Sequence, residues 1–252
     1  MTDLTRSLSY PFRGPAWLGR IMVGALLEFF PVVFALPIIL RGLHRPRLPL
    51  SPTLGLLPLV VVASIAVRLV VLGYMRRVAE GVLSGDEPVL PAWDRFVGDF
   101  LEGLKLAAVT AGLWLPAVAI VAGLTLLVTA LAGPNLAWVP IVVVGPPLAI
   151  GTLAYLPAAL LAMISDDDVA AAFDVDRVSH RIGRVFGAYV LAFVFAVAAE
   201  IVAQFGLLVC CVGIFATRFA AHCAVVHAFA SVQRAAIAAA GVAVPAPAAP
   251  MA

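Results

Sequence analysis

Three pieces of sequence decide the fold: Gly73-Tyr74-Met75-Arg76-Arg77, the turn Gly85-Asp86-Glu87-Pro88, and the run Pro91-Ala92-Trp93-Asp94-Arg95-Phe96. Asp99, Gly103 and Lys105 close this stretch, which is the longest charged run in an otherwise apolar chain. An apolar segment lies on each side of it. The pattern therefore predicts a loop at a membrane surface, between two membrane-spanning helices.

The composition of the chain also indicates a membrane protein. Hydrophobic residues make up 63% of the 252 residues, and charged residues make up 12%. A soluble globular domain carries about 25% charged residues, so this chain has too few polar side chains to cover a water-exposed surface. We therefore predict a polytopic membrane protein whose main partner is the lipid bilayer. The basic residues lie at segment ends rather than on one face, so a nucleic-acid partner is not expected.

Six apolar segments have about the 20 residues that cross a hydrocarbon core of roughly 30 Å. They cover residues 18–40, 54–76, 104–130, 137–163, 185–205 and 207–230. We predict an all-α bundle of six transmembrane helices arranged as three hairpins. Two cytoplasmic amphipathic helices, at about 91–103 and 166–184, are expected at the membrane interface. The boundary between the last two segments is short, and one long re-entrant hairpin is the alternative there.

The predicted transmembrane domain covers residues 18–234, between two segments of different composition. Residues 1–17 mix apolar, aromatic and cationic side chains, which favours a segment in the headgroup layer. Residues 235–252 are rich in Ala and Pro and predict a disordered tail. The first apolar run is long enough to remain in the bilayer, so a cleaved signal peptide is not expected. The side chains expected to face lipid or its headgroups are Trp17, Arg20, Trp93, Phe96, Lys105, Arg181 and Arg184.

The distribution of Lys and Arg among the loops predicts the orientation in the membrane. Eleven of these residues lie on the side that holds both termini and the loops near Arg76 and Arg181. The opposite side has three, Arg41, Arg45 and Arg47, all in the first loop. We therefore predict a plasma (inner) membrane protein with both termini in the cytoplasm.

Four charged residues fall inside the apolar segments, namely Glu28, Arg68, Glu200 and Arg218. Each costs roughly 2.5–3.5 kcal/mol near the bilayer centre by insertion scales, so each should be paired or in contact with water. At a rise of ~1.5 Å per residue, Glu28, Arg68 and Arg218 lie roughly 16–21 Å below the outer surface, and Glu200 lies about 7 Å below it. A structural ion pair between Glu28 and an arginine is favoured, and a polar pathway through the bundle is the alternative.

Three residues with metal-binding chemistry, His222, Cys223 and His227, lie close together on the last segment. The two histidines are five residues apart and about 140° apart around a helix, so they do not bind one metal ion from one face. Packing and hydrogen bonding are therefore favoured over a metal or haem site, and no cofactor is expected. The three cysteines lie in apolar sequence without spaced pairs, which predicts reduced thiols.

Acidic residues cluster at two places near the predicted membrane surface. Asp166-Asp167-Asp168, with Asp174 and Asp176, allow a magnesium site as one interpretation. Capping of the second interfacial helix by Ser165 and Asp166 is favoured instead, because acids in a first helical turn stabilise it. The solvated face of the first interfacial helix is expected to hold Asp94, Arg95, Asp99, Glu102 and Lys105. No nucleotide-binding, zinc-protease or nucleophile motif is present, so we do not expect an enzyme.

The chain resembles itself at a spacing of about 80 residues. Residues 57–62 recur as 139–144, Gly73-Tyr74-Met75 recurs as Ala154-Tyr155-Leu156, and Trp93-Asp94 recurs as Phe173-Asp174. We predict three units, each an interfacial stretch followed by a transmembrane hairpin. Two crossings per unit give successive units the same orientation, as in a parallel repeat. Chance similarity among Val-, Leu- and Ala-rich segments is the alternative.

Residues of the central stretch resemble a known family of archaeal and bacterial multi-pass membrane proteins, the domain-of-unknown-function family four-zero-one-three. The resemblance is carried by Gly73-Tyr74, Arg77, Gly85-Asp86-Glu87-Pro88, Trp93-Asp94, Phe96-Val97, Asp99 and Gly103-Leu104-Lys105. Tyr10-Pro11, Trp17, Pro116 and Cys211-Val212-Gly213 fit it as well, so it covers nearly the whole chain. The family often has a second acid and a tryptophan where this chain has Arg95 and Phe96. The resemblance implies a membrane protein without known activity.

These patterns favour a non-enzymatic membrane protein, either a scaffold or an accessory subunit that binds lipid or a partner protein. A larger membrane complex and a homo-oligomer are both compatible with this prediction. The alternative is a small transporter or channel with a polar path at Glu28, Arg68 and Arg218. A lipid-modifying enzyme ranks third because no motif supports it.

Overall fold

The computed structural model describes residues 4–44, 51–85, 89–209 and 213–240, without the side chains of residues 34–44, 51–57 and 209. All regular structure in these ranges is helical, which confirms the predicted all-α class. The α-helices are α1 (Leu4–Ser9), α2 (Trp17–His44), α3 (Ser51–Ser84), α4 (Phe96–Ala132), α5 (Trp138–Val143), α6 (Gly145–Asp166), α7 (Val175–Arg184), α8 (Phe186–Gln204), α9 (Gly206–Val209) and α10 (Gly213–Ala239). Short 3-10 helices cover Tyr10–Phe12, Pro134–Leu136 and Val169–Ala172.

Within the described ranges, five helical stretches are long and apolar enough to cross a membrane. They are Pro58–Ser84, Phe96–Ala132, Pro134–Asp166, Phe186–Leu208 and Gly213–Ala239. A sixth candidate is the pair Leu4–Phe12 and Trp17–Val33, which is bent by 86°. These lengths and compositions agree with the prediction of about six spans in a polytopic helical bundle.

Two predicted helix boundaries differ from those observed. Instead of a separate interfacial helix over 91–103, the chain is irregular up to Arg95 and then forms the single helix α4. Instead of one segment over 137–163, the chain forms α5 and α6, with a break at Val144. Pro146 and Pro147 explain the break, because a proline has no N–H to donate to the carbonyl four residues before it.

The second interfacial helix is also shorter than predicted. The sequence between 166 and 184 forms the end of α6, the 3-10 helix Val169–Ala172 and then α7, rather than one helix. Asp167 stands between them with φ +48°, a left-handed conformation that ends α6. At the C-terminus, α10 continues to Ala239, past the predicted end at 234. Residues 241–252 of the predicted disordered tail lie outside the described residues.

One structural unit, unit 1, comprises Met1–Leu104 and Val185–Ala252. Helix α10 lies at its centre and packs against α1, α2, α3 and α8. The core contains Tyr10, Ile21, Val71, Tyr74, Val78, Leu90, Phe219, Ala220 and Cys223, with Trp17 and Trp93 packed at its edge. Gly24 of α2 lies against the ring of Phe219, so the lack of a side chain there lets α2 approach α10.

The backbones of α3 and the first turns of α4 touch in unit 1. A methyl group added at Gly73 would collide with the carbonyl group of Asp99, and one added at Gly103 would collide with that of Leu69. Inside a membrane the hydrophobic effect does not drive helices together, so small residues that permit close packing carry much of the association. Gly73 and Gly103 therefore fix the distance between these two helices.

The described part of the N-terminal segment packs against α10, and its predicted place in the headgroup layer stays a prediction. Ser7 and Tyr10 are each 1% exposed, and α1 contacts α10. Ser7 Oγ lies 2.9 Å from His227 Nδ1, and the Tyr10 ring centroid lies 4.5 Å from that of His227. The composition of this segment suits a membrane surface, but these two side chains find a partner on a distant helix.

Unit 2 comprises Lys105–Arg184. In it, α6 packs against α5, α7 and the 3-10 helix Val169–Ala172. Asp166 accepts hydrogen bonds from Arg177 at 2.8 Å and from Arg181 at 3.0 Å, which join the end of α6 to α7. These ion pairs hold α7 beside the end of α6.

Candidate functional site

The structure brings two of the predicted intramembrane charges, Glu28 and Glu200, to the same imidazole ring. His222 Nδ1 lies 3.1 Å from Glu28 Oε1, and His222 Nε2 lies 2.9 Å from Glu200 Oε1. Three helices contribute these side chains, α2, α8 and α10. The Glu28 side chain is 1% exposed and the Glu200 side chain is 41% exposed. His222 therefore connects a buried carboxyl group with a partly exposed one.

The two glutamates were expected to lie roughly 9–14 Å apart in depth. Their side chains contact opposite nitrogens of one ring, which brings them close together in the structure. Their depths in the membrane stay a prediction. Glu200 and His222 are at least eight residues, about 12 Å, from the ends of their candidate spans, and Glu28 is five residues from the end of its candidate span at Val33.

The predicted ion pair between Glu28 and an arginine is not observed, which corrects that prediction. Among the described residues, Glu28 contacts neither Arg68 nor Arg218. Arg68 is exposed, and the buried Nε of Arg218 has no hydrogen-bond partner. Arg218 precedes His222 by one helical turn, so the two side chains share a face of α10. Glu28 Oε2 is also buried without a partner.

His222 makes close contacts of two kinds with the glutamates. The Nδ1 contact with Glu28 Oε1 is a hydrogen bond, and the Nε2 contact with Glu200 Oε1 is at ion-pair distance. Either ring nitrogen of an imidazole is able to carry a proton. An imidazolium between two carboxylates has the same total charge as a neutral imidazole beside one carboxylate and one carboxylic acid. A proton is therefore able to move within the cluster without changing its net charge.

The other residues of the last helix have separate partners. His227 contacts Ser7 and Tyr10, as its packing role predicts, and Cys223 is a buried free thiol. His222 and His227 thus face different helices, as their spacing of five residues predicts. In the described part of the chain, no group of three or more His, Cys, Asp or Glu side chains is placed to bind a metal ion. Cys210 and Cys211 lie outside that part.

Sequence reasoning missed the role of His222 because it counted only Asp, Glu, Lys and Arg as intramembrane charges. Histidine is also a protonatable residue, and in a candidate span it carries the same functional hypothesis. The signal available in the sequence was a histidine inside an apolar segment. The sequence does not show which helices pack together, so the contacts of His222 with Glu28 and Glu200 were not predictable.

A second polar cluster surrounds Arg77 at the end of α3. The Arg77 guanidinium donates to Asp99 Oδ2 at 2.7 Å, to Asp94 Oδ1 at 3.0 Å and to the Ala92 carbonyl at 3.0 Å. It also lies 5.4 Å from the centroid of the Tyr74 ring, a cation–π distance. Asp99 is 2% exposed, which corrects its predicted place on a solvated helix face. The physical reason is that Arg77 supplies the charge that a buried carboxylate needs.

The loop before α4 is held by Tyr74, Arg20 and Trp93. Tyr74 Oη donates to the Pro91 carbonyl at 2.9 Å, Arg20 donates to the Leu90 carbonyl, and Trp93 Nε1 donates to the Arg20 carbonyl at 2.9 Å. The Trp93 ring stacks on Tyr74 with a centroid distance of 3.9 Å. Arg20 and Trp93 therefore make internal contacts and are half-buried, and their contact with lipid stays a prediction. Residues 86–88 of the predicted turn lie outside the described residues.

The remaining predicted interface residues differ in exposure. Phe96 and Lys105 are exposed, and Trp17 is half-buried beside the Phe12 ring. In unit 2, Arg184 is exposed and contacts His180, whereas Arg181 is half-buried and bound to Ser165 and Asp166. These positions are compatible with a membrane interface, and their contact with lipid stays a prediction.

The acidic residues of unit 2 serve as helix caps and ion-pair partners. Asp168 Oδ1 accepts from Ala170 N at 2.9 Å, and Asp174 Oδ1 accepts from Arg177 N at 3.0 Å. The capping residues are therefore Asp168 and Asp174 rather than the predicted Ser165 and Asp166. Asp166 instead binds Arg177 and Arg181.

One hydrogen bond occurs in both units at the same sequence spacing. Tyr155 Oη donates to the Ala172 carbonyl at 3.0 Å, as Tyr74 does to Pro91, and each acceptor lies 17 residues after its tyrosine. Both acceptors closely precede an aromatic-Asp pair, 93–94 or 173–174. This recurrence supports the predicted repeat at these positions. A parallel arrangement of whole units stays a prediction.

Unit 2 contains an open groove with a volume of about 550 Å³. Its lining includes Trp114, Val118, Thr125, Ile141, Gly145 and Leu148, from α4, α5 and α6. The polar side-chain groups among the lining residues are the Thr125 hydroxyl, which already donates to the Val121 carbonyl at 2.8 Å, and the indole N–H of Trp114. The groove thus offers a mainly apolar surface.

Comparison with known proteins gives one match. A family of proteins described as "Protein of unknown function (DUF4013)" matches residues 56–212, which is more than half of the chain. No curated protein matches, and no solved structure matches. The matched range contains the stretch from Gly73 to Lys105 on which the resemblance was based. This match shows that the chain belongs to the DUF4013 family, as its sequence motifs predicted.

Proposed function

We propose that this membrane protein is a non-enzymatic accessory protein that binds a membrane lipid through the groove of unit 2. The apolar lining of the groove carries this proposal. A polar substrate would find no free side-chain partner among residues such as Val118, Ile141 and Leu148, whereas binding sites for polar ligands place a few polar groups for orientation. An acyl chain would fill the space and restore the dispersion contacts that an empty groove lacks.

The bilayer itself limits how strongly such a groove binds. A lipid chain is already in apolar surroundings, so transfer into the groove gains little from the hydrophobic effect. Affinity would then come from shape and packing, which a bulky side chain would disturb. This role agrees with the predicted scaffold or accessory function in a larger membrane complex or homo-oligomer.

The variant Ala122→Phe tests lipid binding. Ala122 lines the groove, so a phenyl ring there should displace an acyl chain and lower the retained lipid by about one molecule per protein. Native mass spectrometry of protein extracted from the membrane measures this number. Ala119→Phe is the matched control, since Ala119 is also exposed on α4 but does not line the groove. Equal lipid retention by parent and Ala122→Phe would contradict the proposal.

The proposed location is the plasma (inner) membrane, with both termini in the cytoplasm. Its test uses single cysteines in a background where the three native cysteines are alanine. Cysteines at Arg95 and Asp176 should react with impermeant reagent from the cytoplasmic side, and one at Asn135 from outside, because Lys and Arg favour cytoplasmic loops. All three positions are exposed. Labelling of positions 95 and 176 from opposite sides would exclude the six-crossing topology.

Transport is a second candidate function, favoured by the intramembrane cluster of Glu28, His222 and Glu200 rather than by the predicted path through Arg68 and Arg218. Chains of acidic and histidine residues serve as proton relays in membrane transporters. Purification from the native membrane, with identification of bound lipids and proteins, distinguishes an accessory subunit from a protein that works alone.

A further inference from the structure

We propose that Glu28, His222 and Glu200 form a proton-binding site, in which Glu200 exchanges protons with the surroundings and His222 passes them to the buried carboxyl group of Glu28. This proposal does not depend on lipid binding in unit 2. It rests on two distances, 3.1 Å and 2.9 Å, at opposite nitrogen atoms of one ring. It also rests on the contrast between the buried Glu28 and the exposed Glu200.

The geometry favours protons over a metal ion as the ligand. A metal ion binds one ring nitrogen together with other ligands on the same side, at about 2.0–2.2 Å from zinc for example. Here the two ring nitrogens lie 3.1 Å and 2.9 Å from different carboxyl groups, so the imidazole lies between them. Such an arrangement places each carboxyl group within reach of a proton on the ring.

The transfer step balances without any further reactant. It begins with a protonated Glu200, a neutral His222 that carries its proton on Nδ1, and an ionised Glu28. The O–H bond of Glu200 and the Nδ1–H bond break, while an Nε2–H bond and an O–H bond at Glu28 form. The cluster then contains the same two protons and the same charge. Glu200, now ionised, takes the next proton from outside the cluster, because its side chain is 41% exposed.

The surroundings of the cluster decide how readily it accepts protons. Arg218 lies one turn before His222 on α10 and carries a positive charge. On α3, the charged groups are the exposed Arg68, Arg76 with its partners Glu80 and Glu102, and Arg77 with its partners Asp94 and Asp99. The other described titratable side chains on elements packed against α10 are Arg6, Tyr10, Arg20, Tyr74 and Tyr189. Helix α10 itself also holds Cys223, His227 and Arg234. The acidic groups that contact His222 are Glu28 and Glu200.

One oxygen of Glu28 has no hydrogen-bond partner, and this indicates which end of the cluster holds the transferred proton. Glu28 Oε2 is buried and makes no hydrogen bond, so the carboxyl group has one oxygen at His222 and one oxygen aimed elsewhere in the interior. A buried carboxylate with a free oxygen is costly, and protonation removes that cost. Glu28 is therefore the end of the chain where a proton would be stored.

Infrared difference spectra of the full-length protein between about pH 8 and about pH 5, the range in which histidine ordinarily changes charge, test proton binding. We expect the carbonyl band of a protonated carboxylic acid to appear at the lower pH. Glu28→Gln should remove this band. Glu80→Gln should retain it, since Glu80 is an exposed glutamate paired with Arg76. An identical band change in parent and Glu28→Gln would overturn the proposal.

The rate of protonation after a rapid pH drop tests the path. In Glu200→Gln and in His222→Gln the Glu28 band should appear roughly 10²-fold more slowly, the usual size of the loss when a positioned acid or base is removed. A glutamine at 222 keeps one donor and one acceptor for the two carboxyl groups, so the fold is expected to survive. Parent-like rates in both variants would overturn the path. If either variant misfolds, the other decides the outcome.

Discussion

Gly103→Ala should lower the stability of this protein by about 2–3 kcal/mol or prevent its folding, a large effect for one methyl group. The added carbon would collide with the carbonyl of Leu69 on α3, and backbone atoms cannot rotate away as a side chain does. The two helices would have to separate. The gain in helix propensity, about 1 kcal/mol for Gly to Ala, is too small to offset this. Thermal unfolding in detergent, followed by size-exclusion chromatography, measures the loss.

Gly123→Ala is the matched control on the same helix. No atom lies within 4 Å of a methyl group placed at Gly123, so the stability should stay the same or rise slightly. Gly73→Ala should behave like Gly103→Ala, because it meets the carbonyl of Asp99. If Gly103→Ala and Gly123→Ala melted at the same temperature, the close contact of α3 with α4 would be refuted.

Asp99→Asn should lower the stability by roughly 3–5 kcal/mol, the usual cost of breaking a buried ion pair. The Asp99 side chain is 3% exposed and accepts a hydrogen bond from Arg77 at 2.7 Å. Its neutralisation leaves the half-buried guanidinium without its nearest counter-charge. Arg77 also donates to the carbonyl of Ala92, so a displaced Arg77 would no longer hold the loop before α4. The loop and the adjoining ends of α3 and α4 should then become more mobile. Thermal unfolding and limited proteolysis of the loop measure the two consequences.

Asp94→Asn is the control for Asp99→Asn, since Asp94 pairs with the same arginine but its side chain is 60% exposed. An exposed pair contributes at most about 1 kcal/mol, so the variant should melt close to the parent. The hydrogen bond from Arg77 lowers the pKa of Asp94 below its ordinary value. Its small contribution is therefore present above the unfolded-state pKa and is lost as the pH falls through the folded-state pKa. Equal destabilisation by both variants would show that burial does not decide the cost.

The architecture was predictable because it depends on composition and segment length. A chain with 12% charged residues cannot cover itself with polar groups. Long apolar segments that cross a bilayer must be helical there, because a helix satisfies its own backbone hydrogen bonds. The family was predictable too, since its motif lies in the stretch from Gly73 to Lys105. The positions of Glu28 and Glu200 inside apolar segments were likewise visible in the sequence.

Helix ends were less predictable, because the ends of an apolar segment in the sequence do not coincide with the ends of a helix. The start of α4 at Phe96 depends on the contacts of Trp93 with Tyr74 and Arg20, and the end of α6 depends on the left-handed backbone of Asp167. Neither feature has a periodic sequence signal. The recurrence of Trp93-Asp94 as Phe173-Asp174 was visible, but the tyrosine hydrogen bonds that accompany it were not.

The sequence alone determined the class of this protein, the approximate number of its candidate spans and the positions of Glu28 and Glu200 within apolar segments, because these follow from residue type and spacing. The tertiary structure decided the partners. Glu28 meets His222 rather than Arg68 or Arg218, since the packing of α2 against α10 sets which side chains share a level. Asp99 is buried because Arg77 reaches it from another helix. Such pairings depend on distances between segments far apart in the chain, and a sequence pattern contains no such distance.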